Sequence, residues 1–202
     1  MAKRIDLHTI SDRQMVKGFY ISQGFLLFVS MILLTMFHFF IHPLPPLFTW
    51  DIKAVLLWGV LVGTLVAGAE YLLDRVFPDH WMDDGGVNRR LFAAMSFKQI
   101  SLAMLLVAFI EEWLFRGVIQ TYFGWIVASV IFGVIHFRYL HKPVMLVIVL
   151  LLGFLLGYIF KVSGSLWPPV ICHYVIDVLL GIVLKMSIIK EAKQKEGRDQ
   201  HE

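Results

Sequence analysis

The feature that most limits how this chain can fold is a series of apolar runs, at residues 19–41, 54–73, 100–119, 122–137, 144–160 and 166–186. A helix needs about 20 apolar residues to cross a hydrocarbon core about 30 Å thick, and most of these runs approach that length. Backbone in lipid must satisfy its own hydrogen bonds, so the runs are read as helices. An all-α, polytopic transmembrane bundle of about six spans is therefore expected. The 58% hydrophobic content and the mean hydropathy of +0.74 place the chain outside the range of soluble domains, as an integral membrane protein. The net charge of +3 would suggest nucleic acid in a soluble protein, but here the placement of the charges matters more, and no nucleic-acid partner is expected. One cysteine, Cys172, allows no intrachain disulfide. The first 18 residues are polar and the run after them is long enough to span, which argues against a cleavable signal.

Outside the runs, Lys and Arg number 4, 1, 4, 0, 2, 1 and 5 along the chain, with Lys185 taken with the tail. This alternation predicts a multi-pass cell-membrane protein with both termini cytoplasmic. Three parts follow: an N-terminal cytoplasmic segment 1–18, one transmembrane domain 19–189 with its chemistry at about 100–180, and a charged tail 190–202 expected to fray. His42-Pro43-Leu44-Pro45-Pro46 breaks the first helix, Asp83-Asp84-Gly85-Gly86 marks a turn, and Asn88-Arg89-Arg90 opens a basic amphipathic segment. Glu70 reads as an interfacial residue near Asp74 and Arg75. His8, His38, His42, His80 and His141 fall at ends or loops and read as surface.

Three polar blocks interrupt the later runs. Glu111-Glu112-x-x-x-Arg116 puts two carboxylates and a guanidinium at bilayer depth, where each ionised group costs roughly 2.5 to 3.5 kcal/mol and marks a functional site. Glu112 and Arg116 are i, i+4 and can pair, whereas Glu111 points about 100° away and is left free. Phe132-x-x-x-His136 adds an imidazole, and His173-x-x-x-Asp177 adds an imidazole and a carboxylate on one helix face. A free carboxylate, two histidines and an Asp can activate water in a dry cavity.

In this order the three blocks resemble the CPBP family of intramembrane proteases, which includes the type II CAAX prenyl endopeptidases and the bacteriocin-processing and self-immunity proteins. The resemblance covers about residues 100–180. It implies a polar catalytic cavity between the third, fourth and sixth helices, with a membrane-associated peptide or protein as substrate and the bilayer as surroundings. It further implies Glu111 as general base with His136 beside it, and His173 and Asp177 as stabilisers of the oxyanion. Glu112 and Arg116 would then support the helix. The CAAX endopeptidases carry Asn where this chain has Asp177. Glu111, His136, His173 and Asp177 could also ligate Zn²⁺ with an open position, while a metal-free glutamate mechanism fits the same residues, so no cofactor is required.

Other protease chemistries lack their signatures: there is no H-E-x-x-H, no G-x-G-D, and Ser163-Gly164-Ser165 lies in a loop without the rhomboid context. Two non-proteolytic readings remain, an immunity or scaffold protein that binds a membrane partner and a small proton-coupled transporter. One geometric tension also remains. A third helix entering near Ile100 puts Glu111 about 16 Å deep, whereas a fully crossing fourth helix puts His136 near its cytoplasmic end. A wet cavity open to the cytoplasm, combined with helix tilt, is the expected resolution.

Overall fold

The computed structural model describes residues 10–82, 85–139 and 142–199. His8, His141, the Asp83-Asp84 half of the turn signal and the last three residues lie outside them, as does the side chain of His80. Among the described residues every regular element is helical. Helix α1, Asp12–Phe40, starts inside the expected cytoplasmic segment because Ser11 and Gln14 form a capping box, each side chain accepting from the other's backbone N–H. Helix α2, Ile52–Val76, is capped by Asp51 Oδ1 and is π-helical over Val55–Leu61. Two short helices follow, α3 (Asp79–Met82) and the amphipathic α4 (Val87–Ala94).

Helix α5 opens with a second capping box at Ser96, runs through Phe97–Glu112, widens to a π-helix over Trp113–Gln120 and closes with Thr121–Phe123. Gly124 takes φ +85°, a conformation side chains disfavour, and turns the chain into α6, Trp125–Ile135. A 3₁₀ turn, Phe137–Tyr139, leads to α7 (Pro143–Ser163), and α8 occupies Trp167–Asp199. The tail does not fray at Lys190, since α8 continues unbroken to Asp199.

Among the described residues, four helices are long and apolar enough to cross a membrane: α1, α2, α7 and α8 up to Arg198. This is a membrane protein, and its surface agrees, with Phe25, Phe39, Leu65, Ile126 and Leu151 each at least 64% exposed, as lipid-facing residues should be. Two of the six expected spans look different. Helix α5 is continuous, but its charged block interrupts its apolar run, and α6 has 11 residues, about 17 Å at 1.5 Å per residue, too short to cross.

Helix α8 is the hub, packing against α2, α4, α5 and α7. Close approach to α2 is possible because position 63 is glycine: a Cβ there would lie 2.9 Å from the Cys172 carbonyl oxygen. Cys172 itself is packed in an apolar cluster with Leu156, Ile159 and Ile176. At one end of the bundle the 42–50 loop meets the 164–167 turn, through Leu166 N–H to Leu47 O and Ser165 Oγ to Thr49 O, and Tyr122 Oη donates to His42 O. At the opposite end, Arg89 of α4 pairs with Glu191, Arg90 pairs with Asp12, and Lys185 Nζ donates to Ala93 O. The site lies between these two ends.

Candidate active site

Antiparallel packing of α5 and α6 about Gly124 sets the level of the site. Phe115 and Phe132, nine residues before that glycine and eight after it, meet edge-on with ring centroids 4.9 Å apart. Glu111 and His136 stand thirteen before and twelve after, so the same register puts them opposite each other. The depth tension came from assuming that α6 crosses the whole membrane. Because α6 stops at Ile135, His136 ends a helix that reaches only mid-bundle.

Glu112 faces away from open space and is fully buried, with 0% exposure. Its Oε1 accepts from Arg116 Nη1 at 2.9 Å, as the i, i+4 spacing predicts, and lies 2.9 Å from His173 Nδ1. Arg116, 1% exposed, also donates from Nη2 to Gly153 O at 2.8 Å and stacks its guanidinium 4.7 Å over the Phe132 ring. One turn further on, Gln120 Nε2 donates to Gly157 O at 2.8 Å. Ser129 of α6 reaches Gly153 O at 3.1 Å. These buried polar bonds tie α5 and α6 to α7, and each uses a backbone carbonyl that a larger residue would cover. A Cβ on Gly153 would lie 3.1 Å from both Phe132 Cδ1 and Ser129 O.

His173 stands between two carboxylates, with Nδ1 on Glu112 and Nε2 3.4 Å from Asp177 Oδ2. An imidazole donates from both nitrogens only as the imidazolium. His136 is different: its Nδ1 lies 2.7 Å from Phe132 O, and since a carbonyl only accepts, that nitrogen carries the hydrogen and Nε2 carries the lone pair when the ring is neutral.

Glu111, His136, His173 and Asp177 all line one cavity of about 630 Å³. Glu111 receives no hydrogen bond from the described residues. The cavity is lined by residues of α5, α6 and α8 and also of α1, α2, α3, α4 and α7. Glu70 also lines it, together with Asp177. The second partner of Glu112 and the polar ties at Gln120, Ser129, Gly153 and Gly157 were not anticipated. Gly153-x-x-x-Gly157 is the signal that could have found the α7 contact, since small residues at i, i+4 mark close helix packing in membranes.

The cavity residues do not fit a zinc centre. Among the described residues no group of three His, Cys, Asp or Glu is placed to hold a metal ion. Both nitrogens of His173 face carboxylates, so this ring offers no lone pair to a metal, and His136 offers one nitrogen at most because its Nδ1 faces a carbonyl.

Residues 93–179 match the family model "Type II CAAX prenyl endopeptidase Rce1-like", a stretch that contains all three polar blocks. The chain is also 36% identical over 155 residues to the uncharacterized protein YpbD of Bacillus subtilis (strain 168), covering 76% of this chain and 82% of that protein. No solved structure matches it. The chain belongs to the Rce1-like family of type II CAAX prenyl endopeptidases.

Proposed function

We propose that this protein is an intramembrane endopeptidase that cleaves a membrane-associated peptide or protein by a glutamate-activated water, without a metal. The observation that carries the reading is the division of labour between adjacent carboxylates. Glu112 is consumed by Arg116 and His173, while Glu111 lines the cavity with no donor among the described residues. A carboxylate in that position can take a proton from water as the oxygen attacks the scissile carbonyl carbon. His136 Nε2, carrying a lone pair, accepts the other water hydrogen and aims the oxygen. The oxyanion that forms takes the Nε2–H of His173 in exchange for its 3.4 Å contact with Asp177, which orients the ring in the resting site. Collapse of the tetrahedral intermediate breaks the C–N bond, and the proton held by Glu111 passes to the leaving amine.

On this reading the chain has six membrane segments, with α5 crossing despite its charges and α6 returning only partway, since it ends at Ile135. Both termini then share the cytoplasmic side with α4, and the cavity extends toward that side between α1, α4 and α8. The test is turnover of an internally quenched peptide library by purified protein in lipid nanodiscs. Wild type should cleave a subset of peptides, and Glu111→Gln should abolish cleavage while accumulating normally. Activity retained in Glu111→Gln would remove the general-base assignment, and cleavage by neither protein would favour a non-catalytic, partner-binding role.

A further inference from the structure

Among the described residues, helix α1 carries one buried side-chain polar atom without a hydrogen-bond partner. The hydroxyls of Ser22, Ser30 and Thr35 are spent on carbonyls of their own helix, Phe19 O, Leu27 O and Met31 O. Gln23 has no such outlet. Its Oε1 is buried without a hydrogen-bond partner, although the residue belongs to the cavity wall. A buried acceptor that lacks a donor is costly, and beside a cavity a bound water or a ligand can supply the donor.

Gln23 also stands at a particular level. Met15, Val16 and Phe19 pack on the apolar cluster that runs through α4 and α5 from Leu91 to Val107, whereas Leu26 and Leu33 pack on the next cluster, which begins at Leu114. Helices α1 and α5 therefore run side by side in the same direction. Gln23, between Phe19 and Leu26, is level with the stretch between Val107 and Leu114, which contains Glu111. The α7 wall of the same cavity, with Met145, Ile148, Val149 and Leu152, is apolar. A primary carboxamide presents a carbonyl acceptor beside an N–H donor, the complement of the pair in a peptide group.

Resting on the protease reading, we propose that Gln23 is a positioning residue that grips the main chain of the substrate. Turned from its buried resting position into the cavity, its Oε1 accepts a hydrogen bond from a peptide N–H and holds the scissile carbonyl level with Glu111. Because the contact is to main chain, it is indifferent to substrate side chains and acts on peptide binding rather than on the chemical step.

The test uses Gln23→Met, similar in shape but without the amide, in full-length protein. From a fluorescent decapeptide library, the peptide bound most tightly by the Glu111→Gln protein is chosen, so that binding is measured without turnover. Adding Gln23→Met to that protein should raise Kd about tenfold, the size of one hydrogen bond, and should not lower thermal stability, because an unsatisfied group is removed. In the otherwise wild-type enzyme the same change should raise KM about tenfold with kcat nearly unchanged. A scan of N-methylated versions of the peptide should find one position where methylation weakens binding about tenfold in the presence of Gln23 and not in Gln23→Met. Unchanged Kd in Gln23→Met, or no methylation site that depends on Gln23, overturns the assignment and leaves water as the partner of Oε1. Tight, Gln23-dependent binding with no cleavage by wild type would instead remove the protease reading and keep the peptide grip.

Discussion

Removing the charge of Glu112 should cost far more stability than removing that of Glu111, although the two are neighbours. Glu112 Oε1 is shared by Arg116 and His173 at 0% exposure, so Glu112→Gln leaves a buried guanidinium without its counter-charge, a loss of roughly 3 to 5 kcal/mol. Thermal melting of the two purified variants checks this, with Glu111→Gln near wild type and Glu112→Gln markedly lower; equal melting temperatures would contradict it. Asp177 acts one step from the reacting atoms. In Asp177→Asn a neutral amide oxygen still faces His173 Nε2 across the 3.4 Å contact, so kcat should stay within about tenfold of wild type. His173→Ala removes the oxyanion donor itself and should lower kcat about 10²- to 10³-fold. Steady-state kinetics on one library peptide compares the two, and equal losses would make Asp177 a direct participant. Both i, i+4 pairs, Glu112 with Arg116 and His173 with Asp177, were legible in the sequence because helical spacing alone sets them. The contacts of Glu112 with His173 and of Arg116 with Gly153 O link residues 61 and 37 apart. They depend on how helices dock, which no local spacing encodes.

Docking of α7 is where element-scale packing meets the site. Gly153 exposes the carbonyl that Arg116 and Ser129 both use, and a methyl group there presses on the Phe132 ring and the Ser129 carbonyl at 3.1 Å. Neither neighbour is the loose end of a flexible chain, so Gly153→Ala should push α7 outward, at a cost of about 1 to 3 kcal/mol, with loss of activity. Gly24 provides the control: a Cβ there meets nothing within 4 Å, and alanine is the better helix former by about 1 kcal/mol. Gly24→Ala should leave melting unchanged or slightly raised, and a larger loss there than at Gly153 would contradict the packing argument. The elements themselves were mostly legible, because apolar length marks α1, α2, α7 and α8. Helix α6 was misjudged by a few residues at each end. Its apolar run continues past the point where the backbone turns at His136, and hydropathy does not record where a helix stops. Counting outward from Gly124 as a hairpin corner would have brought Glu111 and His136 together without the structure.

At the scale of the whole molecule, the two ends of the bundle differ in chemistry, and this difference predicts its orientation. One end gathers Asp12, Arg89, Arg90, Lys185 and Glu191 into cross-helix ion pairs and hydrogen bonds, with the charged end of α8 beyond them. The other end is built from the Pro-rich 42–50 loop, Tyr122 and the 164–167 turn, with aromatic contacts among Phe48, Trp50 and Trp167. Basic residues are retained on the cytoplasmic side, while aromatic rings favour either interface, so the basic cluster decides the direction. The ion pairs themselves are half exposed and contribute little to stability; their value here is as a marker of sidedness. With Cys172 buried and inert toward reagent, replaced by Ala if background labelling requires, single cysteines can report each end. A cysteine at the exposed Thr49 should react with a membrane-impermeant maleimide in intact cells, and one at Gln194 should react only after the membrane is opened. The reverse pattern would invert the molecule and place the cavity mouth, framed by α1, α4 and α8, on the outer face. Labelling at both positions in intact cells would mean that an odd number of segments crosses, which the partial length of α6 makes the first place to look.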